Sequence, residues 1–271
     1  MSYIEEMFSL AGKTAIISGG AGAIGLLMSE TLLRAGANIV VWSRSEESIN
    51  NAVEHLAEIA GNKDSIFGQQ VDAGEEGQVE DALAGAVERF GQVDILINGV
   101  GGNIGKSSFI DTDMETFKKV LHMNLLAGLM IPTKIVAKYW INAGVRGCII
   151  NLTSMASYNP LSGVWAYDAA KSATLNLTVA SANEFAPHGI RVNAIAPGFF
   201  LGKQNKALLV DQETGDYTAR GRSVIDHTPY GRFGDVKELA GATIFLASEA
   251  ASGFVTGVSI PVDGGYLAHN I

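Results

Sequence analysis

The chain has 271 residues, 47% of them apolar and 17% charged, which excludes an intrinsically disordered protein and allows a large buried core. A formal net charge of −9, with no lysine- or arginine-rich block, argues against a nucleic-acid partner. The single cysteine, Cys148 in the apolar run GCIINL, excludes an internal disulfide and reads as a buried filler in a reducing compartment.

The opening stretch MSYIEEMFSLAGK carries two glutamates where a signal peptide needs a basic region and an apolar run. No run of apolar residues reaches the length of a membrane span, so the expectation is a cytoplasmic protein with no membrane partner. KTAIIS (13–18) is the first strand-like run. Glycines follow, then a segment with Ile24, Leu27, Met28, Thr31 and Leu32 at helical spacing. NIVVW (38–42) is the second strand, followed by a polar helix over 45–60. SIFGQQV (65–71) is the third, followed by the stripe Val79, Ala82, Leu83, Ala86, Val87 and Phe90. VDILING (93–99) and GCIINLTS (147–154) are continuous apolar strands with a long helix between them, over about 113–143. A helix over 165–187, a strand over 190–197, a helix over 235–248 and a strand over 258–262 complete the pattern.

Strands apolar throughout, alternating with helices of ten or more residues, imply a parallel sheet covered on both faces. With no linker, repeat or low-complexity tract, residues 1–271 read as a single doubly wound α/β domain of about seven strands. In such sheets, ligands bind beyond the carboxyl ends of the strands.

SGGAGAIG (18–25) lies between the first strand and the first helix, where backbone N–H groups can hold a pyrophosphate. Ser18, Gly19, Ala21, Gly22, Ile24 and Gly25 are therefore candidate cofactor-binding residues. At the end of the second strand, Ser43 stands where an acid would bind the ribose diol of NAD, and Arg44 follows. A serine beside a guanidinium suits the 2′-phosphate of NADP, which is favoured over NAD.

In WAYDAAKSA (165–173), Lys171 lies one helical turn beyond Tyr167. A free phenol has a pKa near ~10, and bringing it to neutrality takes roughly 3 units, or ~4 kcal/mol. A partly desolvated Lys171, together with an oxidised nicotinamide, is expected to supply that field and make Tyr167 a general acid and base.

With these motifs in place, the chain resembles the short-chain dehydrogenase/reductase family over nearly its whole length. The family's T-G-x-x-x-G-x-G turn is matched by Ser18, Gly19, Ala23 and Gly25, with serine for threonine and alanine for the middle glycine. Further matches run in family order. Asp72 and Ala73 in QQVDA resemble the adenine contact, and Asn98 and Gly99 in NGVG resemble N-N-A-G. Asn124 in HMNLLAG resembles the helix asparagine, and Ser154 in NLTSMAS lies thirteen positions before Tyr167. Pro197, Gly198 and Phe200 resemble the nicotinamide-side turn, and VTGVSIPVDGG (255–265) resembles the terminal signature.

The resemblance implies a Rossmann-type oxidoreductase that is NADP- or NAD-dependent, with Ser154, Tyr167, Lys171 and Asn124 as catalytic set. In that set Lys171 also binds the nicotinamide ribose, and Asn124 holds a relay water. It further implies a substrate lid at about 199–232 and a homotetramer or homodimer. The wording INGVGGN, RVNAIAPGFF and HTPYGRFG is similar to the D-mannonate oxidoreductase (fructuronate reductase) subgroup, which implies keto–alcohol interconversion on a hexonate or hexuronate. Asn103, Ser154, Lys203 and Asn205 are candidate substrate residues, two lysines at 203 and 206 suiting an anion. His227 and Arg232 read as mainly structural, and His122, His188 and His269 lack metal-ligand spacing, so no metal is expected. A 3-oxoacyl-carrier-protein reductase, another polyol or ketose dehydrogenase, and a non-catalytic NADP-sensing scaffold remain the alternatives.

Overall fold

The computed structural model describes residues 2–202, 209–211 and 214–270. Seven parallel strands form one sheet: β1 (Thr14–Ser18), β2 (Asn38–Ser43), β3 (Ile66–Gln70), β4 (Ile95–Asn98), β5 (Cys148–Leu152), β6 (Arg191–Pro197) and β7 (Ser259–Val262). Their order is β3-β2-β1-β4-β5-β6-β7, so the chain reverses direction across the sheet between β1 and β4. That reversal opens a crevice at the carboxyl ends of these two strands.

The register explains why these strands are apolar at successive positions. Ile16 pairs with Val40 and Leu96, Leu96 with Ile149, and Ile149 with Val192, giving one buried row across the sheet. Helices α4 (Glu76–Phe90), α5 (Met114–Ala143) and α6 (Trp165–Phe185) cover that row, with Val79, Leu83, Val136, Trp140 and Ala182 in the shared core. One residue along each strand, Ile17, Val41, Ile97 and Ile150 face the other way, onto α2 (Ala23–Arg34) and α3 (Glu46–Ala60) through Met28, Leu32, Ala52 and Leu56. Side chains alternate between faces with period two, so a strand buried on both sides is apolar except where a buried polar side chain finds a hydrogen-bond partner, as Asn98 does with Asn151.

Three features depart from the sequence reading. A short α1 (Tyr3–Phe8) precedes the first strand, closed by a reciprocal Ser2–Glu5 capping box. The segment after β6 contains α7 (Ala219–Asp226), where Leu209, Val224 and Phe233 make a small core of their own. Helix α5 is continuous but π-helical over His122–Met130, and part of it is long and apolar enough to cross a bilayer, contrary to the expectation. Half of that window is buried within the molecule.

Trp140 shows how tightly α5 sits on the sheet. Its indole is fully buried and donates to the Val93 carbonyl at 2.7 Å. The chain enters β5 through Gly147, where a Cβ would clash with the six-membered ring of Trp140. Overpacking of this kind costs about 1–3 kcal/mol. Gly147→Ala should lower the urea midpoint by a corresponding amount, and an unchanged midpoint would show that the indole can move aside.

Candidate active site

At the crevice, main chain meets main chain. Gly19 has φ +68°, and a Cβ there would lie 2.9 Å from the Gly99 carbonyl oxygen. A Cβ on Gly25 would strike the Gly19 carbonyl, so the first turn of α2 can close onto the turn only without a side chain. Gly22 caps α2 with no side-chain hydrogen bond, and no acid lies in the first turn. This uncapped positive end, cradled by backbone, fits a dinucleotide pyrophosphate. Ala23, the departure from the glycine pattern, is exposed at the start of α2 and narrows nothing.

The candidate catalytic groups converge on the neighbouring strand ends. Ser154 follows β5 in extended backbone and caps the turn Met155–Ser157, accepting from the Ala156 N–H at 3.2 Å. Helix α6 brings in Tyr167 and Lys171. It approaches β5 closely because Ala166, Ala170, Thr174, Thr178 and Ala182 form its buried face at intervals of four. Lys171 is only 5% exposed, and its ammonium donates to the Leu152 carbonyl at 2.7 Å. Ser157 donates to the main-chain carbonyl of Lys171 at 2.7 Å, joining the serine turn to the helix.

Asn124 comes from the π-helical part of α5. Its amide donates to the Val120 carbonyl at 2.8 Å and to Gly102 at 2.7 Å, while its oxygen accepts from the Gly102 N–H at 3.0 Å. The Val120 carbonyl is the acceptor an α-helix would offer the Asn124 main chain, so side chain and backbone compete for it where the helix widens. Gly101 lies between the two polar groups. A Cβ there would be 2.8 Å from Asn124 Oδ1 and 3.3 Å from Lys171 Nζ.

The chain's own electrostatics act in opposite directions on the tyrosine and the lysine. Burial pushes the Tyr167 phenol above its ordinary value, and the Asp168 carboxylate adds to that rise, while the Ser154 hydroxyl hydrogen-bonded to it pulls the other way. Lys171 Nζ is 5.7 Å from the phenol ring centroid, and burial lowers the lysine itself to about 8. The chain's own groups therefore do not produce an acidic phenol. Burial is the leading cause of both shifts, and the expected field also includes the charge of an oxidised nicotinamide.

Other predicted residues divide by where their side chains go. Ser43 ends β2 half-buried, and Arg44 is exposed with no ion pair among the described residues. Asp72 accepts from the Gly74 N–H at 2.9 Å, beside buried Ala73. Ala21 and Ile24 are half-buried along the glycine turn. Pro197 and Gly198 lead out of β6, Gly198 lying so close to Asp263 that a Cβ would be 2.6 Å from its Cα.

Three side chains turn away from the crevice, so only their main chain can serve a cofactor. Ser18 donates inward to the Ile97 carbonyl at 3.3 Å, and the Phe200 ring is buried against Gly234. Asn98 is 1% exposed and donates to Thr133 at 2.9 Å and Asn151 at 2.8 Å. Asn103 is exposed and donates to the carbonyl of Gly105 in its own loop. Lys203 and Asn205 lie outside the described residues.

Sequence reasoning missed Asp168 and the Gly101–Gly102 pair. Asp168 is 8% exposed, with one oxygen accepting from the Leu161 N–H at 3.1 Å and the other unpartnered. An acid inside the small-residue stripe of a buried helix was its signal.

Comparison with known proteins follows the same lines. The family model described as enoyl-(acyl carrier protein) reductase matches residues 19–267. UxuB, an uncharacterized oxidoreductase of Bacillus subtilis strain 168, is 38% identical over 97% of each chain. A provisionally assigned D-mannonate oxidoreductase from Haemophilus influenza, solved with bound NAD, has a TM-score of 0.90 at 34% identity over 99% of both chains. A gluconate 5-dehydrogenase from Burkholderia cenocepacia J2315, solved with NADP and tartrate, has a TM-score of 0.89 at 33% identity, covering 99% of this chain and 100% of that one.

The buried lysine has a measurable consequence. In the folded chain it releases its proton near 8, whereas unfolded it holds it to about 10.5. Between those values the unfolded state binds more protons, so stability rises with pH, and Tyr167 opposes this only above about 10. Lys171→Met should flatten the rise, on the order of 2–3 kcal/mol, in urea midpoints taken from pH about 7 to about 10. Equal slopes in the two proteins would show that Lys171 titrates normally.

Proposed function

The chain belongs to the short-chain dehydrogenase/reductase family and is an NAD(P)-dependent oxidoreductase acting on CH–OH donors, and we propose that its substrate is a sugar acid of the gluconate or mannonate type. The observation that carries this reading is the meeting of Ser154, Tyr167, Lys171 and Asn124 beside a backbone cradle suited to a dinucleotide. Support for the substrate class comes from the gluconate 5-dehydrogenase that was solved with NADP and with tartrate, itself a hydroxy acid. NADP is the favoured cofactor because the exposed Arg44 guanidinium at the end of β2 suits a 2′-phosphate.

In this proposal, Ser154 donates a hydrogen bond to the reacting oxygen and orients it toward Tyr167. When bound, an oxidised nicotinamide supplies both a hydride acceptor and a positive charge next to the phenol. The phenolate oxygen of Tyr167 takes the hydroxyl proton as the C–H electron pair leaves the carbinol carbon, and in the reverse direction the phenol returns a proton to the ketone oxygen. Lys171 would steady the phenolate and help hold the nicotinamide ribose of a bound cofactor, and Asn124 would position a water that passes the proton outward.

The segment 199–232, including α7, forms the substrate lid. The exposed apolar groove between α5 and α6, lined by Met130, Ile141, Leu177 and Phe185, receives a second copy of the chain in a homodimer or homotetramer.

The test is turnover of D-mannonate, D-gluconate and the corresponding keto acids, followed by nicotinamide absorbance with NADP and NAD and set against a 3-oxoacyl thioester. We expect sugar acids to be turned over, and Tyr167→Phe to lose at least about 1000-fold in kcat while keeping its affinity for NADP. Turnover of the thioester alone would overturn the substrate class, and an active Tyr167→Phe would overturn the role given to the phenol.

A further inference from the structure

The chain leaves Ser154 and returns thirteen positions later at Tyr167, whose phenol is hydrogen-bonded to the Ser154 hydroxyl. The two groups given to the reacting oxygen are thus the two ends of one excursion. Any drift within it changes their spacing, and small misplacements of reacting groups are costly in rate.

Both ends of the excursion are tied. At the serine end, Ser157 donates to the Lys171 carbonyl at 2.7 Å, and the N–H groups of Tyr158 and Asn159 reach the Met155 carbonyl at 3.0 and 2.9 Å. At the tyrosine end, the Gly163 carbonyl accepts from the Ser107 N–H at 3.2 Å, and Trp165 Nε1 donates to the Ser107 carbonyl at 3.1 Å. The middle is held by Asp168, whose Oδ1 accepts from the Leu161 N–H at 3.1 Å. The Asp168 N–H in turn donates to the Val164 carbonyl at 3.0 Å, so side chain and backbone of one residue both fix the entry to α6.

An acid is a costly choice for this place. The other buried positions on α6 include Ala166, Ala170, Thr174, Thr178 and Ala182. Asp168 is 8% exposed, and its Oδ2 is buried without a hydrogen-bond partner among the described residues. Burial pushes the carboxyl above its ordinary value, and the Leu161 N–H pulls the other way. A small or apolar residue would pack here without that penalty, so the carboxylate is kept for what its bonded oxygen does. It does not cap the helix in the usual way. The N-cap, Val164, has no side-chain hydrogen bond, and Asp168 in the first turn reaches back to an N–H outside the helix.

We propose that Asp168 is a positioning residue: by holding the Leu161 N–H it fixes the spacing of Ser154 and Tyr167, and its loss lowers turnover without weakening the dinucleotide. The proposal rests on the roles given above to Ser154 and Tyr167. The cofactor cradle of Gly19, Gly25 and Gly99 belongs to the ends of β1 and β4, and so does not depend on this excursion.

The test compares Asp168→Asn, Asp168→Leu and Asp168→Ala with the unaltered enzyme on the sugar acid it turns over fastest, each at the pH of its maximal rate. Asparagine keeps an acceptor for the Leu161 N–H, and kcat should stay within about threefold. Leucine fills the space without an acceptor, and kcat should fall about 10- to 100-fold while the Kd for NADP is unchanged. Alanine gives the same reading should the leucine protein fail to fold. Full kcat in the leucine and alanine proteins, or an equal loss in the asparagine protein, would overturn the proposal. In a Ser154→Ala background, Asp168→Leu should cost little more, because the spacing no longer matters, and a full additional loss would show that Asp168 acts elsewhere. Amide exchange needs no turnover: the Leu161 N–H should exchange at least about 10-fold faster in the leucine protein than in the asparagine one. Equal exchange would overturn the tie itself. An unaltered enzyme that turns over no sugar acid, or a fully active Tyr167→Phe, would instead overturn the reading on which the proposal rests.

Discussion

The site is organised around an ammonium group that the fold forces indoors. Lys171 reaches the carboxyl end of β5 and hydrogen-bonds the Leu152 main-chain carbonyl there, with no ion pair among the described residues. A buried cation without an acidic partner is costly, and it persists only where the surroundings leave the side chain no other route. Those surroundings are specific. The small-residue face of α6 brings the helix close to β5, and the Ser154–Ser157 turn is tied to the Lys171 backbone. The same closeness that strands the lysine puts the phenol of Tyr167 beside the Ser154 hydroxyl.

The two halves of the cleft are made of different material. The nucleotide side is built from backbone approaching backbone at Gly19, Gly25 and Gly99, where the requirement is the absence of side chains. The side that the proposal gives to the substrate is built from side chains on connections after β4 and β5, where a rigid scaffold leaves residue choice open. This division explains why relatives that differ in about two residues of three superpose closely, while their names span different sugar acids.

What could be read from the sequence follows the same division. The strands were legible because burial on both faces leaves continuous apolar runs such as TAIIS and CIINL. The glycine turn was legible because its steric demand falls on residue type. The π-helical stretch of α5 was not, since it arises from Asn124 competing for a carbonyl on its own helix while holding Gly102 on another loop. Asn98 and Ser18 were read as lining the crevice because a motif gives position along a strand, and strand position alone does not say toward which interior a side chain turns.

The widened turn in α5 also sets the phase of everything beyond it. A π turn holds more residues than an α turn, so the face presented after Met130 is rotated relative to the face before His122. Asn124 is thereby aimed at Gly102 while Val136 and Trp140, farther along, still meet the sheet. One helix thus serves a polar mouth at one end and an oily floor at the other, and the widened stretch keeps both in register.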